Sequence, residues 1–529
     1  MQLEALDVTV RDYILQLQAN YEHQINEKNK KIIDLLEYQN KYLEIKERYD
    51  LLVYKKFMRS AEQLPADANQ PLLFTREGKE TETEAEQKAE EQERTEVKSH
   101  SRKKPGRKPL DPSLPREEII IDIPEEEKVC ACGAKLTRIG EETSEKLEII
   151  PEKIVVKKTI RPKYACRHCE GVESEGVTKT VRIAQVQPSI IPRSIASPSL
   201  LSWVFTHKFE DHLPYFRQEK QFERIGVVIS RQDMCNWQQQ VYEKLSPLFA
   251  LLKEAVKSGP VLQMDETPVQ VIREEGRDYT QKSYMWLARG GPVGKTVVWY
   301  EYHPTHAAYN AKEFLEGYRG YLQTDGYGVY DTATEGNSGI IHVGCFAHAR
   351  RKFFEASKVS KEVRSAAEGI KHIRRLYYLE DELRSQNMKD EEFLSRRKAR
   401  AGPILNDFKK WLMKREPDLP PSTLLGKAIE YTLKQWDKMV AYLESPYLTP
   451  DNNAAENAIR PFVLGRKNWL FSQSAEGAES SCGIYTLIET AKQNGLISAH
   501  YLTVLFEKAP LASSPEDWLK LLPWNIFTG

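Results

Sequence analysis

The stretch Asp451–Gly495, DNNAAENAIRPFVLGRKNWLFSQSAEGAESSCGIYTLIETAKQNG, carries the densest chemical signals in the chain. Its opening Asn and Ala residues suit a helix start. Residues three and four apart on a helix are neighbours, so Asn452, Asn453, Glu456 and Arg460 share one face. A basic knot, Arg466-Lys467, then leads into Trp469 and a second long helical pattern. The stretch alone has two readings. An acid flanked by amides and a guanidinium can hold a divalent metal beside a phosphate. An exposed helix with one intrahelical ion pair has the same sequence.

The rest of the chain bears on that choice. A length of 529 residues is too great for one core and predicts about three or four domains. The 77 basic and 77 acidic side chains cancel, which excludes a uniformly basic nucleic-acid coat. Charge is nonetheless segregated, with an acid-rich block at 77–96 ahead of a basic one at 102–108. The N-terminus lacks a basic region followed by an apolar one, and no run approaches the roughly 18 apolar residues of a membrane helix. Seven cysteines, an odd and scattered set, do not make a disulfide framework. A soluble cytoplasmic protein with no membrane partner is the expectation.

Residues 1–60 are expected to form a coiled-coil helix. Leu35, Tyr42 and Tyr49 repeat every seven, as do Tyr38, Ile45 and Leu52, which suits a and d positions. Ile25 and Ile32 sit one residue off that register, as a stutter would place them. Such a helix would make the protein a homo-oligomer; packing on its own chain is the alternative. Residues 61–116 read as a linker, first acidic and without apolar periodicity, then basic. In its basic part, Arg107 and Lys108 lie within a Pro-Gly-Arg-Lys-Pro core that can lay charge along a phosphate backbone or into a minor groove.

Residues 117–185 carry Cys130 and Cys132, then Cys166 and Cys169. Two close pairs fit a four-cysteine structural Zn2+ site, with the intervening LEIIPEKIVVKKTIRPKY expected as a β-hairpin that brings them together. The first pair is CxC rather than CxxC, and His168 is the substitute ligand. Reduced cysteines without metal are the alternative. Residues 186–258 are helical in pattern. A helix ending at Gly226 is followed by Ser230, a good N-cap with Asp233 three residues on, in the layout of a helix-turn-helix. Arg231, Gln232 and Asn236 would then face a DNA groove, although ordinary helical packing gives the same layout.

At Gly259 the pattern turns to β. Val261–Ile272 reads as a buried strand interrupted by an acidic step at Asp265-Glu266, and Tyr284–Arg289 and Lys295–Tyr302 read as two more strands. A helix at about Ala307–Tyr318 precedes a strand ending at Asp325; Ile340–Gly344 is a fifth strand, leading into a helix with His348, Arg350, Arg351 and Lys352. This order predicts an α/β core in the ribonuclease H style, first part 259–357 and second part 449–496. A helical insertion spans 358–448, and 497–529 form a C-terminal tail.

Asp265, Asp325 and Glu456 stand out in this frame. Adjacent strands would bring both aspartates to one edge of the sheet, where the helix after the insertion can cover them with Glu456. Three carboxylates suit a pair of Mg2+ or Mn2+ ions, about 3.5–4 Å apart, for phosphodiester chemistry. Glu266 faces away from Asp265 by strand alternation, Asp331 is a weaker choice than Asp325, and Asp451 is expected as a helix cap. Arg460, Arg466 and Lys467 are phosphate candidates; His348, Arg350, Arg351 and Lys352 either contact DNA or form a solvated face.

Four motifs in order, MDETPVQV, LQTDGYGVYD, GCFAHARRKFF and DNNAAENAIRPFVLGRKNWLFSQSAEGA, resemble the insertion-sequence-66 family of DDE transposases. The likeness extends to the N-terminal helix, GRKPL…LPR, the cysteine pairs with RPKYAC and the terminal LLPWN. It implies a DNA transposase with a triad on Asp265, Asp325 and Glu456, a ribonuclease H-like catalytic domain and a zinc-binding N-terminal domain that recognises element ends. Its partners would be element-end and target DNA, with accessory transposition proteins a further class. The competing expectations are a nuclease of the same fold and a DNA-binding regulator without catalysis.

Overall fold

A polar sequence free of Pro and Gly continues as one helix, α1 (Val8–Phe57). The computed structural model describes residues 8–57, 154–165, 181–359 and 363–527. The cysteines Cys130, Cys132, Cys166 and Cys169, and the basic Arg107 and Lys108, lie outside the described residues. The chain forms two compact units, residues 1–81 with 187–529 and residues 82–186.

In the smaller unit, β1 (Lys163–Ala165) and β2 (Val181–Ile183) pair antiparallel, with Lys163 opposite Ile183. The expected hairpin within LEIIPEKIVVKKTIRPKY falls in part, at 147–153, outside the described residues. Residues 154–162 are not strand, and the ladder closes across a later connection instead. Val155, Val156 and Ile160 are exposed, so that run has no apolar face against which to pair.

In the larger unit α2 (Pro198–Phe209), α3 (Tyr215–Arg224), α4 (Arg231–Lys244) and α5 (Ser246–Val256) precede the sheet. The turn between α3 and α4 has the predicted chemistry. Gly226 takes a positive φ, and Ser230 and Asp233 form a reciprocal capping box at the start of α4.

The central strand is β3 (Val261–Arg273), continuous through Asp265-Glu266 rather than interrupted there. Adjacent strands β4 (Lys282–Gly290) and β5 (Val297–His303) extend the sheet antiparallel on one side. Two short helices, α6 (Ala308–Phe314) and α7 (Gly328–Thr334), flank β6 (Gly320–Gln323), and α7 leads to β7 (Ile340–Val343). Strands β6 and β7 are parallel to β3, giving the order β5-β4-β3-β6-β7. The helix predicted to Tyr318 ends earlier, and the sequence reading missed α7.

Helices α8 (Phe346–Val359), α9 (Val363–Arg384), α10 (Asp390–Arg415), α11 (Leu424–Lys434) and α12 (Trp436–Val440) follow. The chain returns to the sheet as α13 (Asn453–Trp469), adds β8 (Ser472–Ser474), and closes with α14 (Ala475–Gln493), α15 (Ser498–Lys508) and α16 (Pro515–Lys520). Strand β8 pairs parallel with the far end of β3, Val271 opposite Ser472. Between the segments of β3 held by β6 and β8, α13 supplies the contacts. Asn452 Nδ2 donates to Met264 O at 2.9 Å, and Arg466 Nη1 donates to Thr267 Oγ1 at 3.1 Å and to Pro268 O. On the opposite side of the sheet, the edge of β5 is covered by α14. Val298 N donates to Thr490 Oγ1 and Tyr300 N to Thr486 Oγ1, so the edge offers no open ladder there.

Two apolar cores follow this plan. One joins α2–α5 to the sheet and to α13–α15; the other joins β7 and α8 to the insertion. The insertion core contains Arg397, fully buried on α10. Its guanidinium donates to Tyr442 O at 2.7 Å, Ser445 O at 3.0 Å, Leu448 O at 3.0 Å and Glu380 Oε1 at 3.0 Å. One side chain thus staples the segment that returns the chain to α13. The lower end of α1 docks on this insertion: Glu47 Oε2 accepts the N–H of Leu424 at the start of α11, and Glu44 pairs with Lys427 at 3.0 Å. The heptad positions Leu35, Tyr38, Tyr42, Ile45, Tyr49 and Leu52 remain exposed.

Arg397→Ala is expected to cost about 3–5 kcal/mol, because it leaves Glu380 and three carbonyls short of a buried partner. Chemical denaturation of the full chain measures it, and a loss below about 1 kcal/mol would show that the staple is dispensable.

Candidate active site

Strands β3 and β6 are parallel, with Val261 opposite Tyr321 and Gln263 opposite Gln323. Asp265 and Asp325 each lie two residues beyond the last paired position, Gln263 opposite Gln323. The side chains hold the same register, Gln263 Nε2 donating to Gln323 Oε1 at 2.9 Å. Gln323 Nε2 in turn donates to Thr449 O at 2.8 Å, on the segment that enters α13 and carries Glu456. Buried amides therefore link the three chain segments that bear the three acids.

Asp325 lies just past β6. Its Oδ1 accepts the N–H of Tyr327 at 2.8 Å in a local turn, and its carbonyl accepts the hydroxyl of Tyr431 at 2.8 Å. Gly326 has φ +86°, and a Cβ there would meet the Tyr431 hydroxyl at 2.9 Å, so the turn requires glycine. Glu456 lies in the first turn of α13. The intrahelical pair with Arg460 considered above does not describe it: its carboxylate faces α8, 3.6 Å from His348 Nδ1 and 3.6 Å from Arg351 Nη2. Both contacts are longer than hydrogen bonds, and Glu456 Oε1 is buried without a hydrogen-bond partner.

Burial, and then the carboxylates of Glu266, Glu456 and Asp325, push the Asp265 carboxyl well above the usual carboxylate range; one backbone N–H, from Glu266, opposes them. A bound cation would relieve like charges that raise one another's pKa, although the ligand atoms of these three acids do not all lie within 4.8 Å of one another. The donor set is all hard oxygen, which fits Mg2+ or Mn2+. Glu266 points to the other face of β3 as strand alternation requires, where His306 Nε2 meets Oε1 at 3.0 Å and the Tyr330 hydroxyl donates to Oε2. His306 is itself stacked between Tyr284 and Tyr327. Sequence reasoning missed this His306–Tyr330 support, since neither residue sits in a recognisable spacing.

Asp451 is not the N-cap residue; Asn452 is. Asp451 is buried one position earlier and accepts the N–H of Asn453 at 3.0 Å, while burial pushes its carboxyl up to about 6 against hydrogen bonds from Tyr377 and Asn453. Asp331 is engaged elsewhere, by Lys438 at 2.5 Å and His342 at 2.9 Å.

One expected DNA contact, Arg350, needs correction. Arg350 is buried, because it lies on the inner side of α8 among Phe346, Ala349 and Phe353. Arg466 turns inward to β3, with Nη1 committed to Thr267 and Pro268. Arg351, Arg460 and His348 are half-buried beside the acids or on the same helices, and Lys467 is exposed. In the helical segment Arg231, Gln232 and Asn236 form an exposed row on α4, with Gln232 Nε2 donating to Asn236 Oδ1 at 2.9 Å. The opposite side of α4 is fixed by Gln238, which donates to Ser480 Oγ at 2.7 Å on α14.

Comparison with known proteins covers most of the chain. Residues 193–480 match the family model described as "Transposase IS66 family", and residues 486–524 match the IS66 C-terminal element. Residues 127–170, which include all four paired cysteines, match the zinc-finger binding domain of transposase IS66. Residues 44–119 match a model described as "Transposase C of IS166 homeodomain". Among curated relatives from Sinorhizobium fredii (strain NBRC 101917 / NGR234), the uncharacterized protein y4jD is 32% identical over 424 residues, 78% of this chain and 80% of the relative. The uncharacterized protein y4hP is 29% identical over 452 residues, 81% of this chain and 78% of the relative. No helix among the described residues is long and apolar enough to cross a membrane.

Gln323→Leu removes one acceptor and one donor from the amide chain, leaving Gln263 Nε2 and Thr449 O unpaired. At about 1–3 kcal/mol for each orphaned buried group, the expected loss is about 2–6 kcal/mol, read as a fall in the denaturation midpoint. A change of a few tenths would mean that the amides do not hold the register. The raised pKa of Asp265 has a defined sign in ion binding. The acid keeps its proton to higher pH than an ordinary aspartate, and a divalent ion must displace that proton. Mn2+ affinity should therefore weaken as pH falls through this raised value, and binding should release protons. Calorimetry in two buffers of different ionisation heat checks this; affinity independent of pH, with no proton release, would contradict it.

Proposed function

This chain belongs to the IS66 transposase family, and we propose that it is a DDE transposase that cuts insertion-element ends and joins their 3′-hydroxyls to target DNA. The single observation that carries this reading is the parallel β3–β6 register, which pairs Gln263 with Gln323, each two residues before an aspartate, while the same amide chain reaches the segment ahead of Glu456. The strand order β5-β4-β3-β6-β7, three antiparallel strands followed by two parallel crossovers, supports a ribonuclease H-like core.

In this reading Asp265, Asp325 and Glu456 hold divalent ions, Mg2+ or Mn2+. Bound there, such ions would supply Lewis-acid activation of the attacking oxygen and stabilisation of the leaving one. The chain's own part is to keep three like charges together and to hold the DNA. Gln263, Gln323 and Asn452 fix the acids' backbones; Arg351, Arg460, Lys467 and His348 are the residues proposed to contact the phosphate backbone. The exposed row Arg231, Gln232 and Asn236 on α4 favours a groove contact. Cys130, Cys132, Cys166 and Cys169 are the ligands proposed for a structural Zn2+, and Arg107 and Lys108 for a backbone or minor-groove contact. The stripe on α1 formed by Leu35, Tyr42, Tyr49 and their partners is apolar, exposed and distinct from the Glu44–Glu47 side that docks on the insertion, which favours self-association as a coiled coil. Such a protein would act in the cytoplasm, where element and target DNA meet, alone or with accessory transposition proteins.

The test is strand transfer with cognate element ends. Asp265→Asn, Asp325→Asn and Glu456→Gln should each lower joined product by at least about 10²–10³-fold, the scale of losing a preorganised charge-stabilising group, while end binding persists. Free nicks without joining would favour a nuclease. Retarded DNA with no cleavage in Mg2+ or Mn2+ would favour a regulator.

A further inference from the structure

Glu456 has a second set of neighbours besides the two aspartates. One donor atom each from Cys345, His348 and Glu456 lies within 4.8 Å of the other two. Cys345 immediately precedes α8. Its buried Sγ accepts the N–H of Asn452 at 3.3 Å and also the backbone N–H of His348. At a helix start this acceptor role ordinarily falls to Ser, Thr, Asp or Asn. A neutral thiol is a weak acceptor, and burial with the carboxylates of Asp451 and Glu456 holds Cys345 as the thiol, so its sulfur becomes anionic only when a cation displaces the proton. His348 Nδ1 and Glu456 Oε1 are each buried without a hydrogen-bond partner, 3.6 Å apart.

We propose that Cys345, His348 and Glu456 form a binding site for a thiophilic divalent cation of the Zn2+ class, separate from the cysteine pairs of the N-terminal module and sharing Glu456 with the carboxylate triad. One sulfur, one nitrogen and one oxygen donor leave a fourth tetrahedral position open. Hard Mg2+ prefers oxygen and keeps its waters, so the set discriminates against it. On binding, the Cys345 S–H bond breaks, the sulfur–metal bond forms and the proton passes to solvent; no electron is transferred. The consequence rests on the proposed triad. A cation held here keeps Glu456 turned toward α8, so Zn2+ competes with the ions that Asp265, Asp325 and Glu456 would hold together.

The experiment uses the full chain loaded with one equivalent of Zn2+, which a four-cysteine module takes ahead of a one-sulfur site, and then titrated with Co2+. A thiolate-to-cobalt charge-transfer band in the near ultraviolet is expected. Cys345→Ser keeps a capping oxygen at the start of α8 and should abolish the band. His348→Gln, at a half-buried helix position, should weaken Co2+ binding at least about tenfold. Asp325→Asn should leave the band unchanged. Absence of the band, or a band unaffected by both Cys345→Ser and His348→Gln, overturns the site. Failure of the triad reads differently: strand transfer would survive in Asp325→Asn whether or not the band forms.

Discussion

The hydrogen bonds from Gln263 to Gln323 and from Gln323 to Thr449 are the constraint on which the rest of the larger unit depends. Three carboxylates that repel one another must be kept within reach although their segments are far apart in sequence. Apolar packing alone is indifferent to small slides of one strand along another. Buried amides are not, because a slide strands a donor or an acceptor away from water. The pairing sits two residues before Asp265 and two before Asp325, and its last acceptor lies on the chain about to enter the helix of Glu456. Asn452 on Met264 O and the Tyr300 hydroxyl on Ala458 O hold α13 to the same sheet.

The helical insertion follows from the same requirement. The chain leaves the sheet after β7 and has to return with Glu456 in register. A second core lets that excursion fold as a body, and Arg397 closes it by binding carbonyls on the returning segment. Negative charge is thus concentrated where α8 and α13 begin, and the helix N-termini temper it. The same ends bring Cys345 and His348 beside Glu456, so the third acid of the proposed triad would answer to two kinds of metal chemistry.

Much of this was legible in the residues. The acidic step at Asp265, the Asp-Gly at Asp325 and the NNAAENAIR start of α13 mark the candidate acids, although the Asp325-Gly326 pair also serves an ordinary turn. The spacing of Asp265 and Asp325 becomes decisive only once β3 and β6 are known to be parallel with Gln263 against Gln323. No local pattern distinguishes Gln323 from a surface glutamine. The burial of Arg350 was hidden for a related reason: a basic side chain near a helix end looks free until its burial is known. The short strand β8 and helix α7 are too brief for periodicity to register. The cysteine motifs and basic tract rest on residue type and family likeness.

The most direct measurement is diffraction from crystals of the full chain soaked in Mn2+ and recorded at the manganese absorption edge. The account predicts anomalous peaks among the carboxylates of Asp265, Asp325 and Glu456, lost in the Asp265→Asn variant. Manganese bound elsewhere, with those three acids left without an ion at saturating concentration, would contradict it.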